Sequence, residues 1–524
     1  MPTALAESWP MSFSSVHFLL FLPLCLAGAC LLCGAARRGW LLLAGYWFYF
    51  FAAPRYLPVL LCGTLFTWLW GLFIDKAEEA TLRTRRLWAG VCLLVLHLCF
   101  FKYNGFFAGV LSPVFQALGA DYNRDFFTAA SALGISFYSF TAIAYLIDLS
   151  RKDIPAENNL LNFALFMGFF PSVTMGPISR AGALLPQLKQ SAFRPNAAVL
   201  ADALRTLAIG YFKKLAVADT LAVITGQIYD NLGSYQGFTL TLASITFALQ
   251  LYFDFSGYTD LALGTAKLFG VQLPQNFQNP HFSTSFSAFW SRWHISLSTF
   301  LQDYIFTPIV WSRWTEKLPL LGKKVTRPPV LSAIAATFLL SGLWHGDTLP
   351  FFVWGALQAA FRIGEELLHR HLGKPRKNPG LAVRIGKNAM VLVLWVESLV
   401  FFKVGLLKNG TVQSALSALA RQFLPVSPAQ TGADLLSAAM SGFYGDVRIA
   451  SAFLLFSLFC TALAIWADWA QCFRLSGAPL AEGLAGLRTA PRWAAYFALV
   501  LCCFAGFLAT SGGFGGASFL YGGF

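Results

Sequence analysis

One imidazole stands out in this chain. His345, in Leu343-Trp344-His345-Gly346, lies inside a largely apolar stretch from Leu331 to Trp354. An unperturbed imidazole pKa of about 6.5 leaves the ring mostly neutral at pH 7, so it can accept a proton from a reacting group and give it back. At bilayer depth titratable side chains are rare, face a protein interior or a water-filled path, and are functional candidates by default. The competing reading is a histidine satisfied within a packed core.

Two further clusters carry chemistry. Asp254-Phe-Ser256-Gly-Tyr258-Thr-Asp260 places two carboxylates and several hydroxyls in an apolar helix. At 100° per residue Asp254 and Asp260 point about 120° apart, so they are not a cooperating pair on one stripe. They are either tied to Arg or Tyr on neighbouring helices or line a polar cavity. Next, the turn signal Asn276-Phe-Gln-Asn-Pro280 precedes Phe289-Trp290-Ser-Arg292-Trp293-His294-Ile-Ser296-Leu-Ser298 and then Asp303-Tyr304. Trp290, His294 and Ser298 recur at i, i+4 and i+8, which predicts an amphipathic helix with all three on one face. Arg292 can donate to a carboxylate, and the tryptophans suit an interfacial depth, so a supporting interfacial helix is the plainer alternative.

The elements that hold these residues are set by composition. With 57% hydrophobic and 12% charged residues among 524, and a mean hydropathy of +0.60, the chain lies far outside the soluble globular range. Apolar runs near 17–33, 39–53, 56–74, 87–107, 126–147, 160–173, 198–226, 238–264, 330–344, 350–368, 390–407, 449–467 and 493–510 approach the roughly 20 residues a spanning helix needs. They are continuous and do not alternate, which excludes a transmembrane barrel. The expected fold is all-α: a polytopic integral membrane protein of about eleven to thirteen hydrophobic helices, some re-entrant.

The net charge of +14 resides in short loops, so it reads as topology and anionic-lipid contact, not nucleic-acid binding. Arg37 and Arg38, then Lys76, Arg83, Arg85 and Arg86, then Arg151 and Lys152 follow the first, third and fifth runs, which places the N-terminus outside the cytoplasm. Loops with Lys323, Lys324 and Arg327, and from His369 to Lys377, look cytoplasmic too. The ten cysteines mostly fall within apolar runs as small hydrophobes; Cys30 and Cys33 have CxxC spacing, but nothing nearby completes a metal site. The first run reads as a retained anchor, with Met11-Ser12-Phe13 the more typical membrane start.

The chain reads as one membrane-embedded domain over 1–524, with no fixed-period repeat of the kind many transporters show. The polar interruption from Lys408 to Val447 is expected to be an extramembrane loop before the final helices, with a short amphipathic helix from Gln413 to Leu424.

Together these segments resemble the membrane-bound O-acyltransferase family, in particular its bacterial branch acting on alginate-like polysaccharide and peptidoglycan. The resemblance rests on Gly176-Pro177-Ile178-Ser179-Arg180 with Leu185-Pro186-Gln187-Leu188, on Tyr252 through Asp260, on Phe289 through Ser298 and on Ser341 through Gly346. It extends to Phe18-Leu-Leu-Phe-Leu-Pro23-Leu24 at the start and Phe519-Leu520-Tyr521 at the end. It implies an acyltransferase, most simply an acetyltransferase, whose helices surround a central polar channel. His345 is then the catalytic base and His294 a second polar member of the site. Arg180, Asp254, Ser256, Tyr258, Asp260, Arg292, Trp293, Ser298 and Trp344 are channel-lining or supporting. It also implies no bound cofactor or metal; an acetyl-CoA or carrier thioester donor on the cytoplasmic side; a polysaccharide or peptidoglycan acceptor; a periplasmic SGNH-type esterase-like partner; and residence among the lipids of the bacterial inner membrane. Gln358, Gln302 and Gly522-Gly523 depart from the family pattern. A lipid or protein O-acyltransferase of the same superfamily is the nearest rival. A proton-coupled transporter, with Arg180 or Arg292 meeting an anion, is the more distant one.

Overall fold

The computed structural model describes residues 11–103, 133–312, 330–373, 380–442, 446–474 and 478–510. The expectations for Lys323, Lys324, Arg327, Lys377, Phe519–Tyr521 and Gly522-Gly523 lie outside the described residues, as do parts of the runs at 87–107 and 126–147. Among the described residues every regular element is helical and none is a strand.

In chain order the helices are α1 (Val16–Leu31), α2 (Gly34–Ala52), α3 (Leu57–Asp75), α4 (Ala80–Lys102), α5 (Ile135–Arg151), α6 (Leu160–Gly168), α7 (Phe170–Val173), α8 (Ala181–Leu188), α9 (Ala197–Tyr211), α10 (Asp219–Asp230) and α11 (Phe238–Leu268). There follow α12 (Phe286–Trp290), α13 (Ile295–Leu301), α14 (Thr307–Val310), α15 (Val330–His345), α16 (Leu349–Leu372), α17 (Leu381–Gly405), α18 (Val412–Arg421), α19 (Pro428–Met440), α20 (Val447–Phe473), α21 (Leu480–Ala485) and α22 (Thr489–Thr510). Among the described residues, six helical stretches are long and apolar enough to cross a membrane: Pro54–Asp75, Ala80–Lys102, Phe238–Leu268, Leu381–Gly405, Val447–Phe473 and Thr489–Thr510. The protein is an all-α, multi-pass membrane protein. These spans are packed differently: 67% of the most apolar part of α11 is buried but only 6% of that of α22, so α11 is a core helix and α22 leaves most of its apolar surface uncovered by protein.

Two apolar runs are not single helices. Leu160–Val173 breaks at Phe169, whose backbone is extended, because Pro171 fits only the first turn of a new helix. The run from Ala198 is interrupted by a π-turn over Phe212–Ala218 between α9 and α10. The polar interruption near 408–447 carries α18 and α19, and Thr411 and Ser414 form a reciprocal capping box on α18.

The described residues form two compact units, one from within 11–211 and 257–275 and the other from within 212–256 and 276–510. The first is organised around aromatic packing and a buried cation. Phe13 meets Phe18 edge-on at 4.7 Å and Tyr258 at 5.1 Å. Arg37, grouped above with the topology charges, is only 1% exposed; it donates to the Phe269 carbonyl at 2.8 Å and the Gln190 carbonyl at 3.3 Å. The second unit holds both histidines of the motifs.

Candidate functional site

His345 is the last residue of α15 and is 4% exposed. Trp344 at 4.7 Å, Trp354 of α16 edge-on at 5.1 Å and Phe402 of α17 at 5.0 Å pack against its imidazole. Two features of the sequence place these rings. Gly342 and Gly355 let α15 and α16 touch through their backbones: a Cβ on Gly355 would lie 2.5 Å from the Phe338 carbonyl oxygen and 3.0 Å from Gly342 Cα. Small residues are the usual means of such close helix approach in lipid. The second feature ties α16 to α17. Gln358 donates to Ser398 Oγ at 2.7 Å, Ser398 donates to the Trp395 carbonyl, and Thr348 donates to the Gly405 carbonyl at 3.3 Å. Gln358 lies one turn from Trp354 and Ser398 one turn from Phe402, so this bond fixes the ring pair that closes on His345.

His294 is 1% exposed, and its ring meets Phe255 edge-on at 4.6 Å and Trp344 at 6.0 Å. Trp344 therefore touches both imidazoles. The structure corrects one sequence expectation here: Trp290, His294 and Ser298 do not share a helical face. Helix α12 ends at Trp290, and His294 takes a left-handed backbone at φ 45° as the N-cap of α13. The turn motif explains why. Asn276 is fully buried; its carbonyl accepts from Ile295 N–H at 2.9 Å and its side-chain oxygen from Ser296 N–H at 3.2 Å. The orphan donors of the α13 first turn are thus satisfied from outside the helix, and the chain can break just before it. Period alone could not reveal this, because the partner stands some twenty positions upstream.

The remaining predicted residues fall into distinct settings. Trp293 is buried, stacked on Phe289 at 5.7 Å and packed on Trp395 at 5.0 Å. Ser298 Oγ donates to the Trp293 carbonyl at 3.1 Å, and the Arg292 carbonyl accepts from Gln278 N–H at 3.0 Å. Ser256 is buried, and its hydroxyl has no hydrogen-bond partner among the described residues. In the other unit, Tyr258 hydrogen-bonds Thr174 Oγ1, and Met175 N–H donates to the Tyr258 hydroxyl at 3.4 Å. Tyr258 therefore meets the two residues that precede the 176–180 motif, more than eighty positions away in sequence. Arg180 stands at the N-cap position of α8 without a side-chain capping bond, and Asp260 is half-buried on α11.

Asp254 is held by a residue the sequence reading passed over. Lys214, on the π-turn, places its Nζ 2.8 Å from Asp254 Oδ1 and 2.8 Å from Asp219 Oδ1. The available signal was Lys213-Lys214 in the middle of an apolar run, the kind of intramembrane charge that marks a partner or a site. Among the described residues no group of His, Cys, Asp or Glu is arranged to hold a metal, and all ten cysteines are free thiols.

The fold and this centre define a class: a multi-pass membrane protein with two buried imidazoles bridged by one tryptophan ring. Residues 148–406 match the membrane-bound O-acyltransferase family. The chain is similar to a probable alginate O-acetylase of Azotobacter vinelandii, 36% identical over 66% of this chain and 67% of the relative. It is also similar to a probable alginate O-acetylase of Pseudomonas putida, 34% identical over 70% and 73% respectively. To a peptidoglycan O-acetyltransferase of Helicobacter pylori it is 31% identical over 61% and 62%. The chain belongs to the membrane-bound O-acyltransferase family, and it is an enzyme that transfers acyl groups to oxygen.

Proposed function

We propose that this enzyme moves an acetyl group from a cytoplasmic thioester, acetyl-CoA or a carrier-bound equivalent, for O-acetylation of an exported polysaccharide or peptidoglycan at the bacterial inner membrane. The observation that carries the reading is the cage around His345, which keeps an imidazole in an apolar setting at a helix end. An acceptor hydroxyl oxygen attacks the thioester carbonyl carbon while His345 takes the hydroxyl proton. As the C–S bond breaks, that proton passes to the departing sulfur, giving an ester and a free thiol. General-base assistance of this kind contributes about 10²–10⁴ in rate. The surrounding rings exclude water, which protects the thioester from hydrolysis. His294, sharing the Trp344 ring, is the second polar member of the centre. The names of the relatives support acetyl as the group and an extracytoplasmic polymer as the acceptor. A periplasmic SGNH-type esterase-like protein would complete delivery to the polymer.

The test is the ester-linked acetate released by mild base from polysaccharide and peptidoglycan of cells lacking the gene, complemented with wild type or His345→Ala at matched membrane levels. Wild type should restore acetate and His345→Ala should restore less than about a hundredth of it, in line with the loss of a general base. Full restoration by His345→Ala overturns the assignment; unchanged acetate on deletion favours a lipid acceptor or another acyl group.

A further inference from the structure

The buried cluster around Lys214 has a geometry that depends on an irregular turn. In an α-helix five residues advance about 500°, leaving positions 214 and 219 roughly 140° apart. The π-turn Phe212–Ala218 closes its hydrogen bonds to i+5 and so brings Lys214 over Asp219. From there Lys214 also reaches Asp254, and the side chains of all three residues are at most 3% exposed. A widened turn needs room, and Gly506 of α22 supplies it: a Cβ there would stand 2.3 Å from the Leu215 carbonyl oxygen and 2.8 Å from Ala216 Cα. Asp254 is followed by Phe255, whose ring meets His294 edge-on at 4.6 Å.

We propose that Asp219–Lys214–Asp254 is an electrostatic clamp that fixes the rotation of the Phe238–Ser256 part of α11 and thereby seats Phe255 against His294, making Lys214 a positioning residue for acyl transfer. The physical reason is the difference between apolar and ionic packing. Apolar rows on a helix can exchange neighbours by a small rotation at modest cost. A lysine held by two carboxylates at 2.8 Å has one arrangement, and rotating α11 would separate buried charges. Buried ion pairs add little net stability over well-packed apolar residues, and their best-attested use is to specify one register. The π-turn fits this role, since such turns recur at functional sites.

This inference rests on His294 belonging to the reacting centre. Its test separates positioning from stability. Lys214→Met alone strands two carboxylates and is expected to insert poorly. The triple variant Lys214→Met/Asp219→Leu/Asp254→Leu removes every charge of the clamp at once. It should insert, and melt in detergent at or above the wild-type temperature. In membrane vesicles supplied with acetyl-CoA, the periplasmic esterase-like partner and acceptor polymer, its kcat should fall at least about tenfold, with the KM for acetyl-CoA within about twofold. Phe255→Leu should show the same kcat loss, and combining it with the triple variant should add little, because neighbouring changes acting through one contact are non-additive. A triple variant with wild-type kcat, or losses that multiply, overturns the clamp. His345→Ala vesicles as active as wild type, or wild-type vesicles that transfer no acetyl, overturn the parent reading and the clamp with it.

Discussion

The Lys214 cluster and the histidine centre occupy the same unit and the same apolar interior, yet they are held by different forces. Lys214 is fixed by opposite charges at 2.8 Å. His345 and His294 are fixed by the faces and edges of Trp344, Trp354, Phe402 and Phe255. An ion cluster loses its favourable energy if any member moves or changes charge, so it suits a part that must stay still. Aromatic ring contacts hold the plane of an imidazole in either charge state, and need no counter-charge to do so, so they suit a part that takes up and releases a proton. The contrast teaches that polarity inside a membrane protein is not itself the mark of catalysis; how the polar group is held tells more.

The largest expected effect breaks this comparison if it fails. Lys214→Met should cost about 3–5 kcal/mol of stability, the penalty of leaving buried carboxylates without their counter-charge. His345→Gln should melt close to wild type while losing about 10²–10⁴ in rate. Thermal unfolding in detergent beside an acetyl-transfer assay checks both. The comparison fails if Lys214→Met is stable and slow while His345→Gln is unfolded.

A second prediction sharpens the histidine half. Gly355→Leu puts a side chain where only 2.5 Å separates a Cβ from the Phe338 carbonyl oxygen, so α16 must move away from α15. Overpacking of this kind costs about 1–3 kcal/mol. Trp354, the residue before it, would leave the His345 ring, and a displacement of about 1 Å at a reacting centre can cost about 10²-fold in rate. Activity should therefore fall further than stability. Equal activity in the variant would show that the Trp354 contact does not matter to the chemistry.

The sequence made the helical class legible because apolar composition at this level leaves few other folds, and it marked His345 because an imidazole in an apolar run is exceptional. The pairing of 258 with 174 and 175, and of 254 with 214, was invisible because both join residues 40 or more positions apart. The break before His294 was hidden for a related reason. Its i, i+4 spacing satisfies a helix by period, and only the distant Asn276 carbonyl and side chain override it. The π-turn left one trace, a lysine and an aspartate five apart in an apolar run, which makes no sense on an α-helix and good sense on a wider one.

The smallest effect extends the comparison to an ion pair at the rim of the other unit. Glu157 lies in the loop between α5 and α6, where its carboxylate pairs with Lys189 and accepts from Asn159 N–H at 3.0 Å and Asn162 Nδ2 at 3.3 Å. Burial pushes this carboxyl upward, but the Lys189 ammonium and the two N–H donors outweigh it and hold the pKa below its ordinary 4.5. A depressed carboxyl contributes stability that is present above about pH 4.5 and is lost as the pH falls through the lower folded value. The Lys189 side chain is 45% exposed, so water screens the pair, and Glu157→Gln should cost less than about 1 kcal/mol at pH 7. Melting of the two proteins from pH 7 downward should show a small gap that closes below about pH 4.5. A gap as large as that of Lys214→Met would mean that burial does not separate the two kinds of ion pair; a gap independent of pH would mean that Glu157 acts through its shape and not its charge.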